Sequence, residues 1–181
     1  MYRFKNIYGD YIVVHTKCGW SPYKDWPVDR WQQLVDRLIA KYPRYKFFHI
    51  GEGKSDTLNG CARLQTSIRD AIQLIKESVL LIGQDSFSNH ASALFPYTPS
   101  VILWGSTAPT GSGYPHNTNI WLGKSCSPCY REYDFMSADP KGKCPFDPKQ
   151  SWEKPEHPCM WEISVDTVFD AVVAKLEERN E

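Results

Sequence analysis

Two loops of this sequence carry side chains suited to holding a nucleotide. Thr16 and Lys24 follow an apolar run that ends at His15, and a lysine ammonium can pair with a diphosphate. Glu52 stands between two glycines after a second apolar run, where a carboxylate can accept both hydroxyls of a ribose. A solvated surface lysine and an ordinary glycine turn are the alternatives for these residues.

A third loop, from Gln84 to His90, joins an apolar run to a predicted helix. The free N–H groups of a first helical turn favour bound phosphate through hydrogen bonds and the helix dipole. Asp85 would repel phosphate, so we expect it either to orient Lys24 or to accept sugar hydroxyls. Alternatively, a serine only caps the helix and His90 packs against it. The candidate binding residues of this loop are Asp85, Ser86, Phe87, Ser88 and His90.

A fourth loop runs from Trp104 to Pro109 and contributes Thr107 to the candidate site. Its small residues would let the backbone approach a ligand closely.

Four cysteines lie in a proline-rich segment, residues 124–160, with the spacing C-x2-C-x14-C-x14-C. A C-x-x-C pair can offer both sulfurs to one metal, and two later cysteines complete a tetrahedron. The spacing therefore predicts a structural site for zinc or iron, since four thiolates leave no position open for substrate. The alternative is a loop with free or partly oxidised thiols. The predicted ligands are Cys126, Cys129, Cys144 and Cys159.

The elements that must position these loops are short apolar strands alternating with amphipathic helices. Strands are predicted at residues 11–15, 46–50, 79–82, 100–103 and 119–122, and serines at 67 and 164 have the position of helix caps. Continuous apolar strands between helices predict an α/β fold, Rossmann-like, with a parallel sheet covered on both faces. Ligands of such folds bind outside the carboxyl ends of the strands, where each of these loops lies.

Length and charge limit the classes of function. The 181 residues suit a single domain over residues 1–181 with the cysteine-rich insert. Lysine plus arginine equal aspartate plus glutamate at 21 each, which argues against a general nucleic-acid surface. The chain has no apolar run near the roughly 20 residues of a transmembrane helix and no signal-peptide core at its start, so we expect a cytoplasmic protein.

The order of these motifs resembles glycosyltransferase family 9, the ADP-heptose:lipopolysaccharide heptosyltransferases. The C-terminal lobe in that family carries K-x-W-P, a glycine-acidic turn, D-[ST]-G-x-x-H and F-G-x-T-x-P, and many members end with a cysteine-rich stretch. The matching segments here are Lys24 to Pro27, Gly51-Glu52, Asp85 to His90, Trp104 to Pro109, and Cys126 onward.

The resemblance implies the donor-binding lobe of a two-lobed, GT-B glycosyltransferase. Lys24 would contact the diphosphate, Glu52 the nucleoside, and residues 85–90 the diphosphate and sugar. The implied partners are a nucleotide-diphosphate sugar, with an ADP-sugar favoured, and a glycan or protein acceptor. Peripheral association with the inner face of the membrane is compatible with such a role. The transfer would invert the anomeric centre without a divalent metal. Separately, some protein-glycosylating relatives carry a four-cysteine iron site in the region that corresponds to the cysteine-rich segment.

Two departures from the family pattern leave other functions open. Phe87 replaces the glycine that permits close approach of phosphate. The N-terminal lobe, which holds the acceptor site and the general base in the family, is absent from this sequence, so we identify no catalytic residue. Three explanations stay open: the sequence is an excised domain, it works with a separate chain that supplies the lobe, or it is a binding module without catalysis. The alternatives are a non-catalytic nucleotide-binding or assembly module whose cysteine finger contacts another protein, and, less favoured, an epimerase of UDP-sugars.

Overall fold

The computed structural model describes residues 4–19, 21–51, 57–129, 144, 146 and 156–179. Glu52 lies outside these residues, as does most of the cysteine-rich insert. The strands are β1 (Tyr11–His15), β2 (Lys46–Ile50), β3 (Ala62–Leu64), β4 (Leu80–Gln84), β5 (Ser100–Trp104) and β6 (Thr118–Trp121). The helices are α1 (Phe4–Tyr8), α2 (Val28–Lys41), α3 (Ile68–Glu77), α4 (Phe87–Ser92), α5 (Pro109–Ser112), α6 (Pro158–Trp161) and α7 (Val165–Glu178), with a 3-10 turn at Pro22–Lys24.

The six strands form one parallel sheet in the order β3-β2-β1-β4-β5-β6. Val13 of β1 pairs with Phe48 of β2 on one side and with Leu81 of β4 on the other. After β1, the chain adds β2 and β3 on one side of it. It then crosses back and adds β4, β5 and β6 on the other side. This reversal creates a crevice between the carboxyl ends of β1 and β4, which is where ligands of doubly wound sheets bind.

Both faces of the sheet are covered, as predicted. Ile12 and Val14 point toward one face, where they share an apolar cluster with Leu34 of α2 and Val172 of α7. Tyr11 and Val13 point to the opposite face, into a cluster formed with residues of α3 and α4. Successive strand side chains alternate between faces, so strands covered on both sides must be apolar throughout.

Two serines begin helices as their positions predict. The Ser67 hydroxyl accepts a hydrogen bond from the Asp70 amide at 3.1 Å, and the Ser164 hydroxyl accepts one from the Thr167 amide at 3.0 Å. Each bond satisfies an N–H group that has no partner within its helix. In the described part of the chain, no helix combines the length and apolar composition required to cross a bilayer.

Candidate functional site

A cavity of about 310 Å³ opens at the carboxyl ends of β1 and β2, between the first turns of α3 and α4. Its size is at the lower end of the range for small-molecule sites. Part of its wall is apolar and part carries hydroxyl, imidazole and ammonium groups. The lining residues are His15, Lys17, Gly19, Ile50, Gly51, Thr66, Ser67, Ile68, Ala71, Ser86 and Phe87.

His15 connects the end of β1 to the loop that follows β4. Its Nδ1 lies 3.1 Å from the hydroxyl oxygens of both Ser86 and Ser88. Burial, reinforced by repulsion from His49, lowers the pKa of His15 from 6.5 to about 4. The imidazole is therefore neutral near pH 7, and it presents hydrogen-bonding groups to the cavity without a charge.

Thr16 belongs to a separate contact behind the cavity wall. Its Oγ1 lies 2.9 Å from Nε2 of His49, and both residues are buried. Thr16 is not part of the cavity lining, although its neighbour His15 is. The sequence analysis did not single out His15 or His49 as functional, although each lies at the carboxyl end of a strand.

Lys24 and Asp85 form a buried ion pair. The Lys24 Nζ lies 2.8 Å from the Asp85 Oδ2, and the Thr107 hydroxyl donates a 2.7 Å hydrogen bond to the same oxygen. This arrangement fits the expectation that Asp85 orients Lys24. Lys24 is only 8% exposed and does not line the cavity, so the predicted diphosphate contact of Lys24 stays a prediction.

Asp25, which the sequence analysis passed over, ties the loop after β1 to the end of β4. One carboxylate oxygen accepts hydrogen bonds from the Cys18 amide at 2.9 Å and from Nε2 of Gln84 at 2.5 Å. The other oxygen lies 3.2 Å from the Nζ of Lys17. Burial raises the pKa of Asp25, whereas Lys17 and the two hydrogen bonds oppose that shift. The Gln84 side chain also accepts a hydrogen bond from the Trp26 amide at 3.2 Å.

Some residues of the loop from Asp85 to His90 line the cavity, and others lie outside it. Ser86 and Phe87 line the cavity, whereas Ser88 is buried behind it. The Phe87 ring stands edge-on to the His15 ring, with centroids 6.3 Å apart. His90 is exposed on the far side of α4, and its Nδ1 lies 3.1 Å from the Tyr114 hydroxyl oxygen. The alternative interpretation of this loop, a serine that only caps the helix, does not hold for Ser86, because its side chain makes no cap bond and instead contacts His15 and the Gln84 carbonyl.

All four cysteines of the predicted metal site belong to the described residues, and Cys144 and Cys159 are buried. Burial raises the pKa of the Cys159 thiol to about 12, and repulsion from Cys129, Cys144 and Cys126 adds to the shift. Cys126, Cys129 and Cys144 thus each act electrostatically on Cys159. A group of three or more side chains that could hold a metal ion is not found among the described residues, so the predicted metal site stays a prediction.

The cavity suits a ligand that has a flat apolar part and a polar or anionic part. Ile50, Ile68 and Phe87 provide apolar contacts, whereas Ser86 and Lys17 provide donors on the side nearest the loops. Among the described lining residues, Lys17 carries the only formal charge at neutral pH. This combination is typical of small-molecule sites, which pair an apolar lining with a few polar groups.

Comparison with known proteins identifies the fold. No family model and no curated protein sequence matches this chain. The solved structure of the Escherichia coli ADP-heptose lipopolysaccharide heptosyltransferase II matches 95% of it with a TM-score of 0.67 and 18% identity, over 48% of that chain. The iron-containing dodecameric glycosyltransferase TibC from enterotoxigenic E. coli matches 95% with a TM-score of 0.69 and 18% identity, over 46% of its chain.

A glycosyl transferase of family 9 from Veillonella parvula gives a similar result, with a TM-score of 0.67 and 18% identity over 97% of this chain and 49% of that one. The present chain thus spans about half the length of each of these proteins. The Rossmann-like sheet described above is therefore the fold of part of the family 9 heptosyltransferases, as the order of sequence motifs indicated.

Proposed function

We propose that this chain binds a nucleotide-diphosphate sugar and forms the donor-binding half of an inverting glycosyltransferase of heptosyltransferase type. The observation that carries the proposal is the cavity at the carboxyl ends of the strands, bounded by the loop from Asp85 to His90. TibC, which shares the fold, has been solved in complex with ADP-D-β-D-heptose. An ADP-sugar is therefore the donor that we favour.

In this proposal the candidate residues act in two layers. Ser86 and Phe87 contact the ligand from the cavity wall, and Glu52, which follows the lining residue Gly51 in sequence, contacts the nucleoside. A second layer fixes the loops that carry these groups, and there Asp85 keeps Lys24 and Thr107 in place. The remaining supporting residues are Thr16 and Ser88, and His90, which is exposed at the end of the same loop, is the candidate contact to the sugar.

The acceptor, a glycan or a protein, would meet the donor across the open side of this crevice. The base that removes the proton from its hydroxyl would come from the N-terminal lobe, on a separate chain or segment. We therefore expect the 181-residue chain to bind donor without transferring sugar. Turnover by the purified chain alone would contradict this division of roles.

Binding is tested by calorimetry with ADP, GDP, UDP and adenosine. A carboxylate introduced beside the ligand should abolish binding of ADP, and Ile68→Glu places it on the cavity wall at a side chain that is 65% exposed, so folding should be retained. Ile7→Glu is the matched control, because Ile7 is 58% exposed on α1 and does not line the cavity. If no nucleotide binds the unaltered protein at millimolar concentration, the donor-site proposal is wrong.

We also propose that the four clustered cysteines hold one structural zinc or iron ion. Thiolates are ligands that both metals accept, and metal binding requires loss of the proton that burial favours on the Cys159 sulfur. Elemental analysis should find about one metal ion per chain. The double variant Cys126→Ser, Cys129→Ser should lose it, whereas Cys18→Ser, Cys61→Ser should keep it. Metal-free protein with four freely reactive thiols would refute the site.

A further inference from the structure

Two lysines follow β1 in the sequence, and the structure gives them different environments. The Lys24 side chain is 10% exposed and paired with Asp85, which is itself buried. The Lys17 side chain is 46% exposed and lines the cavity. Lys17 rather than Lys24 is therefore the lysine that a ligand in this cavity would meet.

Asp25 determines where the Lys17 ammonium lies. Its carboxylate is 16% exposed and is fixed from the other side by the Cys18 amide and the Gln84 side chain. Gln84 is the last residue of β4, so the carboxylate is anchored to the rigid sheet and not only to its own loop. Because an ammonium group has three N–H donors, it can bridge a carboxylate and a phosphate at the same time.

The charges around the cavity favour an anion at this point. The described lining residues include no carboxylate, and His15 is neutral near pH 7. The nearest described carboxylate to Lys17 is that of Asp25, whose negative charge is engaged by three donors. A phosphate in this cavity can therefore meet the Ser86 hydroxyl and the Lys17 cation, whereas Ile50 and Ile68 offer apolar contacts to the rest of the ligand.

We propose that Lys17 is the residue that pairs with the phosphates of the bound nucleotide, and that Asp25 is the positioning residue that holds its ammonium at the cavity. The inference rests on the proposed function and deepens it, because it assigns the anionic part of the ligand to a lysine outside the four motifs. A lysine so placed contributes to binding of the diphosphate and not of the nucleoside.

The test is calorimetric titration of the full 181-residue protein with ADP and with adenosine. Lys17→Ala should weaken ADP binding about tenfold or more, which is the range for hydrogen bonds to charged groups, and leave adenosine binding unchanged. Lys41→Ala is the matched control, because the Lys41 side chain is 44% exposed and also pairs with a carboxylate, at 4.0 Å on the remote helix α2. It should bind both ligands as the unaltered protein does.

Asp25→Asn tests the positioning role. It should weaken ADP binding when Lys17 is present and have no further effect when combined with Lys17→Ala. Equal losses with and without Lys17 would show that Asp25 supports only the loop.

The possible failures are distinguishable. If the unaltered protein binds ADP and Lys17→Ala binds it equally well, or loses adenosine and ADP binding alike, the assignment of Lys17 is overturned while the proposed function stands. If the unaltered protein binds neither ligand, both are overturned.

Discussion

The buried imidazole of His15 makes the stability of this protein depend on pH in a calculable way. Its pKa is about 4 in the folded chain, and the usual value of 6.5 applies once the chain unfolds. As pH falls below 6.5, His15 becomes protonated in the unfolded chain, whereas in the folded chain it stays neutral until the pH nears 4. The stabilisation associated with neutral His15 is therefore complete above pH 6.5 and is lost as pH falls toward the folded pKa.

The size of the loss follows from the two pKa values. Each unit of difference corresponds to a factor of ten in the proton-binding equilibrium, so lowering the pH from 7.5 to 4.5 should cost roughly 2–3 kcal/mol of unfolding free energy through this one group. Other titrating groups also change over this range. The relevant quantity is thus the difference in unfolding free energy between the unaltered protein and His15→Gln, which should shrink by that amount as pH falls.

The assay is urea denaturation at several pH values for the unaltered protein, His15→Gln and Ser88→Ala. Ser88→Ala removes one hydroxyl partner of His15 but keeps the buried imidazole, so it should retain most of the pH dependence. The reasoning would be refuted if the difference in unfolding free energy between the unaltered protein and His15→Gln stayed constant from pH 7.5 to 4.5. The same conclusion would follow if the His15 ring titrated near pH 6.5 by NMR.

Two further predictions concern packing and charge at the same crevice. Lys24→Ala should lower the unfolding free energy by about 3–5 kcal/mol in urea denaturation, because it leaves the Asp85 carboxylate buried without its cation; exposed Lys41→Ala should change it by less than about 1 kcal/mol. Gly105→Ala should cost about 1–3 kcal/mol, because the new methyl group would lie 2.5 Å from Met160 Cγ and 2.8 Å from the Tyr23 carbonyl oxygen. Gly19→Ala, which meets no atom within 4 Å, is its control, and equal melting temperatures for the two glycine variants would contradict the packing argument.

The elements that sequence patterns predict well are those with enough residues to show a pattern. Strands β1, β2, β4, β5 and β6 lie where apolar runs place them, and helices α3 and α7 begin at the predicted serine caps. Strand β3 was missed because it has three residues, one of them Arg63, and lies at the edge of the sheet, where no continuous apolar run is required. Helices α1, α5 and α6 have four or five residues, too few for a helical period to appear.

The position of the cavity at the strand ends was predictable, but the contacts around it were not. Parallel strands bring their carboxyl ends to one edge, so the loops had to converge. Which side chains then meet depends on strand order and register, which the apolar pattern does not encode. The Asp25 contact with Gln84 joins residues 59 positions apart, and the His15 contact with Ser88 joins residues 73 apart. Sequence analysis singled out Lys24 because it belongs to a motif and passed over Lys17, although only Lys17 lines the cavity.

Phe87 gives a physical reason why this chain would depend on Lys17. The heptosyltransferase pattern has a glycine at that position, and a glycine lets a phosphate approach the backbone of the following helix. Here a phenylalanine ring lies in the cavity wall instead, and the helix it begins has only six residues, which limits the backbone dipole available to an anion. With backbone approach restricted at the start of α4, the charge of the proposed nucleotide would have to be met by a side chain from elsewhere. Lys17, in the loop after β1, is the side chain that we propose for this role, and Asp25 links it to the same strand, β4, that precedes Phe87. In this proposal the phenylalanine at position 87 and the placement of the lysine are two parts of one arrangement.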